Sequence, residues 1–377
     1  MSVASYLDYN ATAPVLPAVI DAMAQCLRSP GNASSVHRFG RAQRQRIEEA
    51  RATIARAIKA QPAEIVFTSG GTEANALALK GSGRKRLIVS AIEHDSVLRN
   101  AGDDAARIPV DGNGVVDVAA LEKILASSNE PALVAVMLAN NETGVVQPLA
   151  EIVRVARAHG ALVLCDAVQA LGKIAVDFAA LDVDYLSLSA HKIGGPQGVG
   201  ALVVRKGAPV MAQMLGGGQE GSRRAGTENT AGIVGFGVAA GHVDDHLLRA
   251  DFVAGLRDLA ARRIKDLAPQ AKVFGEGAAR LPNTLCVDMP GVKAETQIVA
   301  LDLAGVAVSA GAACSSGKLR PSAVLQAMGV DAVQATNAIR VSFGWDSDED
   351  DVERLIAGWG ALWARAGQRQ PVSGTAA

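Results

Sequence analysis

The sequence predicts an α/β protein in which a large domain, built on a mainly parallel sheet covered by helices, is joined to a smaller α+β C-terminal domain. Three observations carry that prediction. Short apolar runs alternate with helix-like segments between about residues 45 and 205. After Gly235 the pattern changes to a long polar helical stretch followed by short strands. The chain is also long and apolar enough, at 377 residues and 49% apolar, to bury a large core, and at about 150 residues per domain it has room for more than one. Near-continuous apolar strands separated by helices belong to a sheet whose two faces are both covered.

In chain order, Arg38, Arg41, Arg44, Arg46 and Arg51 read as the solvated face of a helix. The predicted strands of the large domain are Ile65–Thr68, Leu87–Ser90, Leu133–Leu138, Leu162–Asp166, Tyr185–Ser189 and Ala201–Arg205. Between them, Ala74–Lys80, Val118–Leu125 and Ile152–His159 have helical spacing or composition. The smaller domain should hold a helix over His246–Leu267 and strands around Val273, Thr284–Val287, Val306–Ser309 and Ile339–Ser342. A last helix begins near Ser347, with Asp348, Glu349, Asp350 and Asp351 in its first turn, where carboxylates complement the helix dipole. The expected division is 15–245 for the large domain, 1–14 with 246–366 for the small one, and 367–377 as a flexible tail.

Composition excludes several classes of function. The 37 basic and 38 acidic residues nearly cancel, so no global field draws the chain to nucleic acid or a membrane surface. Neither a basic, apolar N-terminal leader nor a run of about eighteen apolar residues is present, so a soluble, cytoplasmic protein is expected. Four cysteines, none in a C-x-x-C spacing, argue against a disulfide scaffold or a structural zinc site. Cys26, Cys165 and Cys286 lie in apolar settings that suit packing. Cys314 differs, because the small residues and glycines of Val308–Gly317 leave a thiol accessible.

Ligands of such sheets bind at the carboxyl ends of the strands, and three of those ends carry chemistry. Ile65 to Asn75 runs from a strand through Gly70–Gly71 into a helix, a place where free N–H groups and the dipole bind phosphate and the Thr72 hydroxyl adds a donor. Asp166 closes an apolar strand, and a carboxylate there either caps the next turn or needs a cationic partner. Ser189–Ala–His–Lys192 ends a third strand before Gly194–Gly195, and a lysine desolvated at that junction becomes nucleophilic. A phosphate cradle, a partner for a pyridinium nitrogen and an amine for a Schiff base are what pyridoxal phosphate requires.

At this point the chain resembles the cysteine desulfurases, pyridoxal-phosphate enzymes of the aminotransferase class V superfamily with fold type I. The resemblance runs from Tyr6–Leu–Asp–Tyr–Asn–Ala–Thr–Ala–Pro14 to Ile339–Arg–Val–Ser–Phe–Gly344 and is most specific at Thr68–Asn75, Asn140–Gly144, Ser189–Lys192 and Ser309–Gly317. It implies that Lys192 forms the Schiff base, Asp166 pairs with the pyridinium nitrogen, and Gln169 bonds the phenolic oxygen. His94 would stack on the ring and move protons, with Asn141 between cofactor and substrate carboxylate. Gly71, Thr72, Ser189 and His191 would hold the phosphate, and Thr227 would reach the phosphate of the neighbouring subunit, implying a homodimer. Arg340 would clamp the carboxylate of L-cysteine. Cys314 would take the sulfur as a persulfide, leave L-alanine, and pass sulfur to an acceptor such as an iron–sulfur scaffold. No resident metal is implied; transient contact of Cys314 with a scaffold's cluster is the one metal contact.

The chain departs from the family pattern at Gly31–Asn–Ala–Ser–Ser35, at Gln197 where lysine is frequent, and at Trp345 where arginine is usual. Gln197 and Trp345 bear on partner contacts or on electrostatics at the substrate mouth. Rival functions are a selenocysteine lyase, another C–S lyase or an aminotransferase of the superfamily, which share Lys192 and Asp166 but need no persulfide. A non-enzymatic binding or partner-stabilising protein is a further rival, expected to have lost the Lys, Asp or Arg, all of which are present.

Overall fold

The computed structural model describes residues 4–311 and 321–367. Strand β1 (Ser5–Tyr6) and helices α1 (Pro17–Leu27) and α2 (Arg38–Ala57) precede the main sheet. Its strands are β2 (Ile65–Thr68), β3 (Arg86–Ser90), β4 (Ala106–Ile108), β5 (Ala132–Met137), β6 (Leu162–Asp166), β7 (Tyr185–Ser189) and β8 (Gly200–Val204). Their spatial order is β2-β8-β7-β6-β5-β3-β4. Every pair from β4 to β7 is parallel, and β8 runs antiparallel to both of its neighbours.

Alternation along single strands shows how both faces are used. On β5, Val134 and Val136 enter one apolar core while Leu133 and Ala135 enter another on the opposite face. Helices α3 (Gly71–Gly81) and α4 (Asp95–Ala101) pack together on the second face, with Ala74, Leu77 and Val97 in that core. Helices α5 (Val118–Ala126), α6 (Leu149–Ala158) and α7 (Phe178–Leu181) contribute to the first, as does α8 (Thr230–Gly241). Gly237 lets α8 close on α2, since a Cβ there would lie 2.6 Å from that of Ala50.

The C-terminal part has its own core of Leu7, Leu256, Ile264, Leu285, Val341, Phe343 and Trp359. It comprises α9 (Val243–Leu248), α10 (Ala250–Leu267), β9 (Thr284–Asp288), α11 (Ala294–Leu303), β10 (Val306–Ala307), β11 (Ser309–Ala310), α12 (Ala323–Ala327), α13 (Ala332–Thr336), β12 (Ala338–Ser342) and α14 (Glu349–Gly367). β12 lies between β11 and β9, antiparallel to both, and β10 pairs in parallel with β1. The N-terminal segment is thus built into the C-terminal layer.

Some elements differ from expectation. The helix expected over His246–Leu267 is two, Val243–Leu248 and Ala250–Leu267, divided at Arg249, which ends one and begins the other. The strand expected over Val306–Ser309 splits at Val308 and serves two sheets. Val273 contributes one isolated bridge to Val287. Arg38, Arg41 and Arg44 are exposed, but Arg51 is buried. Its guanidinium makes two 2.8 Å bonds to Glu220, and its charge is sustained inside by that bidentate pair.

Glu220 also accepts the β2 amide of Phe67, so it ties α2 and the sheet edge together. Glu220→Gln should destabilise the chain by about 3 kcal/mol, because a buried guanidinium loses its counter-charge. The check is the thermal midpoint of the purified variant, which must fall by several degrees.

Candidate active site

The cofactor side chains expected from the sequence, Thr227 excepted, converge at the carboxyl ends of the parallel strands. A cavity of about 190 Å³ is lined by Gly71, Thr72, His94, Asn141, Asp166, Gln169, Ser189, His191 and Lys192, together with Asn75, Ser96, Met137, Ala139 and Val168. Its floor is the turn between β2 and α3. A Cβ on Gly71 would lie 2.8 Å from Val168, so this backbone comes closer to the next wall than any side chain permits. The first turn of α3 is fixed from below, where Glu73 accepts the amide of Ser69 and pairs with Arg224 at 2.8 Å.

Asp166, at the end of β6, is buried and accepts Asn75 Nδ2 at 2.7 Å and the Val168 amide at 3.0 Å. It forms no ion pair with a described residue. Asn75 donates also to Ser96 Oγ, 2.8 Å from His94 Nδ1. The Ser96 amide donates to the same ring nitrogen, so Nδ1 serves as an acceptor and Nε2 is left to the other side of the ring. A carboxylate, an amide, a hydroxyl and an imidazole form one chain along the cavity wall.

Lys192 follows β7, and its Nζ donates to the carbonyls of Asn10 and, at 2.8 Å, Ala11. Burial, reinforced by the charge of Arg340, lowers its pKa to about 8. His191, 3.2 Å from Thr12 Oγ1, is lowered to about 4 by burial and then by Lys192 and Lys173, so it is neutral at pH 7. Gln169 is buried, donating to the Asn10 carbonyl and accepting from Lys173.

Arg340 comes from β12 and does not line this cavity. It bonds Asp8 at 2.8 Å and the Asn141 carbonyl at 3.1 Å, and its Nε is buried with no partner among the described residues. Thr227 is exposed and lies outside the cavity lining. Cys314 falls outside the described residues, whereas Cys26, Cys165 and Cys286 are buried free thiols.

Sequence reasoning gave no role to Asn75, Lys173 or Glu142. Asn75 had a usable signal, since it lies four residues after Gly71 and so shares that face of α3. Glu142 follows Asn141 and is buried; it accepts from Ser322 Oγ, and a Cβ on Gly311 would stand 1.9 Å from its Oε2. Burial raises its carboxyl above the usual range. Trp345 stacks on His246 at 4.1 Å and meets Tyr9 edge-on at 5.2 Å, in a small separate pocket that also includes Lys173 and Lys192. It packs beside the lysine and does not line the main cavity.

This donor set fits pyridoxal phosphate. The helix N-terminus is a place where an anion can bind, Asp166 is a carboxylate that could pair with a cationic ring nitrogen, and Lys192 is an amine of lowered basicity. Comparison with known proteins agrees. The aminotransferase class-V family model matches residues 5–355. The chain is 41% identical to the cysteine desulfurase IscS of Dictyoglomus turgidum, over 93% of this chain and 92% of that protein. It is 40% identical to an IscS-like cysteine desulfurase of Mycobacterium tuberculosis, over 93% and 94%.

The chain belongs to the cysteine desulfurase family. Among solved structures, a NifS-like protein from Rickettsia africae superimposes with a TM-score of 0.89 at 34% identity, over 96% of this chain and 99% of that one. SspA in complex with cysteine matches with a TM-score of 0.78 at 31% identity, over 90% and 99%. As a cysteine desulfurase it is a pyridoxal-phosphate enzyme of fold type I, and its seven-stranded, mostly parallel sheet is that fold's.

The lowered basicity of Lys192 can be read directly. In this desulfurase freed of cofactor, acetylation of Lys192 followed by mass spectrometry should rise with pH around a midpoint of about 8, against about 10.4 for an ordinary lysine. A midpoint above 10 would mean that the amine is not desolvated.

Proposed function

We propose that this cysteine desulfurase takes sulfur from L-cysteine on Cys314, using the cavity residues for the roles their chemistry suits. What carries the proposal is the convergence of Lys192, Asp166 and the α3 N-terminus on one cavity, beside Arg340. When bound, pyridoxal phosphate supplies the electron sink that labilises bonds at the substrate's carbons. Gly71, Thr72, Ser189 and His191 hold its phosphate, Asp166 its ring nitrogen, Gln169 its phenolic oxygen, and His94 its ring face. Lys192 bonds it covalently and, with His94, moves protons.

Arg340 binds the carboxylate of L-cysteine with Asn141 beside it, and Asp8 keeps the guanidinium in place. The Cys314 thiolate then attacks the substrate sulfur. An S–S bond forms as the substrate's C–S bond breaks, the electron pair returns to carbon, and protonation gives L-alanine. The persulfide sulfur is passed to an acceptor, proposed to be an iron–sulfur scaffold, whose thiols or reductant restore Cys314.

Residues 15–245 are proposed to form the cofactor-binding domain, and 1–14 with 246–366 the smaller one, in keeping with their separate cores. A homodimer is part of the proposal. Exposed Met211, Met214 and Leu215 lie in the stretch leading to exposed Thr227, a surface suited to a second copy that receives Thr227 at its phosphate site. The cytoplasm is the proposed compartment, in keeping with the free described thiols. Among the described residues no helix is long and apolar enough to cross a membrane.

Incubation with L-cysteine, with alanine quantified and Cys314 mapped by mass spectrometry, tests the sulfur carrier. Cys314→Ser should lower alanine formation at least a hundredfold and abolish the persulfide; unchanged turnover would exclude a Cys314 persulfide. Arg340→Ala should raise KM for cysteine tenfold or more, because a charge-assisted pair of about 1.5–3 kcal/mol is lost. Cofactor content should stay near that of the parent, and an equal loss of cofactor would count against a substrate role.

A further inference from the structure

Lys173 lies four residues after Gln169 and has no part in the reaction outlined above. Its Nζ donates to Gln169 Oε1 at 2.6 Å and to Asn10 Oδ1 at 2.8 Å. No carboxylate pairs with it among the described residues. Burial, aided by the nearby charges of Lys192 and Arg340, pushes its amine well below the ordinary lysine range. In either protonation state it has N–H donors for both oxygens.

A side-chain amide can be turned in two ways, exchanging a donor for an acceptor at the same place. Lys173 selects one orientation for two amides at once. With its oxygen held, Gln169 turns its NH₂ to the Asn10 carbonyl at 2.9 Å, and Gln169 itself lines the cavity. Asn10 turns its NH₂ to the Asn141 carbonyl and Thr284 Oγ1.

We propose that Lys173 is a positioning residue that locks the Gln169 amide with its N–H donors, not its oxygen, available to the phenolic oxygen of bound pyridoxal phosphate. This rests on the role proposed above for Gln169. Without Lys173 the amide is held in this orientation only by its bond to the Asn10 carbonyl, and each turned-over amide replaces a donor by a lone pair that repels the cofactor oxygen.

The test is a double-mutant cycle read on cofactor affinity rather than turnover. Unloaded parent, Lys173→Met, Gln169→Leu and the double variant are titrated with pyridoxal phosphate, and binding is followed by absorbance. Each single change should weaken binding about tenfold, the scale of one lost hydrogen bond in a desolvated site. The double variant should bind within about threefold of Gln169→Leu, because Lys173 acts through that amide. The pH midpoint of the bound cofactor's absorbance should move equally in Lys173→Met and Gln169→Leu, a signature that general destabilisation does not produce. Additive losses of about a hundredfold would overturn the proposal alone. An unchanged affinity in Gln169→Leu would overturn both it and the role of Gln169. If Lys173→Met is not recovered folded, Lys173→Gln, which keeps a polar end but not the reach, is carried through the same cycle with the same criteria.

Discussion

The site depends on one buried asparagine. Asn10 is 1% exposed, and each of its four polar groups is engaged. Its amide N–H donates to Ser342 Oγ, and its carbonyl accepts from Gln169 and Lys192. Its side-chain oxygen accepts from Lys173 and Asn283, and its NH₂ donates to the Asn141 carbonyl and to Thr284. Gln169, Lys173 and Lys192 follow strands of the main sheet, whereas Asn283, Thr284 and Ser342 belong to the C-terminal layer. No other side chain of that size offers donors and acceptors in both directions. An apolar replacement would leave several buried groups without partners at once, at a cost that grows with each.

That hub also settles the electrostatics. Lys173, Lys192 and Arg340 bring three basic side chains to one region, and among the described residues only Arg340 of the three has a direct carboxylate partner, Asp8. Each lysine is left to carbonyl or amide oxygens, which solvate an amine without fixing its charge. Desolvation then favours the neutral form, and the neighbouring positive charge adds to it. An amine of lowered basicity is obtained by withholding direct counter-ions, while Asp166 is bonded by an amide and not by a lysine. A chain of net charge −1 can therefore hold a strongly structured local field.

How much of this was legible in the sequence follows from the range over which each feature acts. Ile65–Thr68, Leu162–Asp166 and Tyr185–Ser189 were readable to the residue, because a strand buried on both faces is an apolar run and its end is marked by the first functional side chain. Strand β4, Ala106–Ile108, was not, since three residues including an arginine have no recognisable period. The division of Val306–Ser309 between two sheets depends on partners near residues 5 and 340. Arg51 looked like its exposed neighbours because its counter-charge is 169 residues away. Lys173 was silent for the same reason, since a lysine beside a glycine turn does not show which amides surround it. The Asn10 hub spans separations of up to 332 residues, so its pattern, unlike the phosphate turn, had no local trace.

The same ladder that presents Arg340 also delivers the chain to Cys314. Ser309 is the register partner of Arg340, and its hydroxyl bonds Asp8, the carboxylate that holds the guanidinium. Two residues further on, Gly311 passes so close to Glu142 that no side chain fits, and Ser322 bonds the same carboxyl. Glu142 in turn adjoins Asn141, whose carbonyl accepts from Arg340. Cys314 is three residues beyond Gly311, a reach of at most about 11 Å of extended chain. Arg340 and the entry to the segment that holds Cys314 are therefore parts of one hydrogen-bonded unit. A displacement of the Arg340 strand would also move the point at which the chain enters the segment holding Cys314, so the two proposed roles share one anchor.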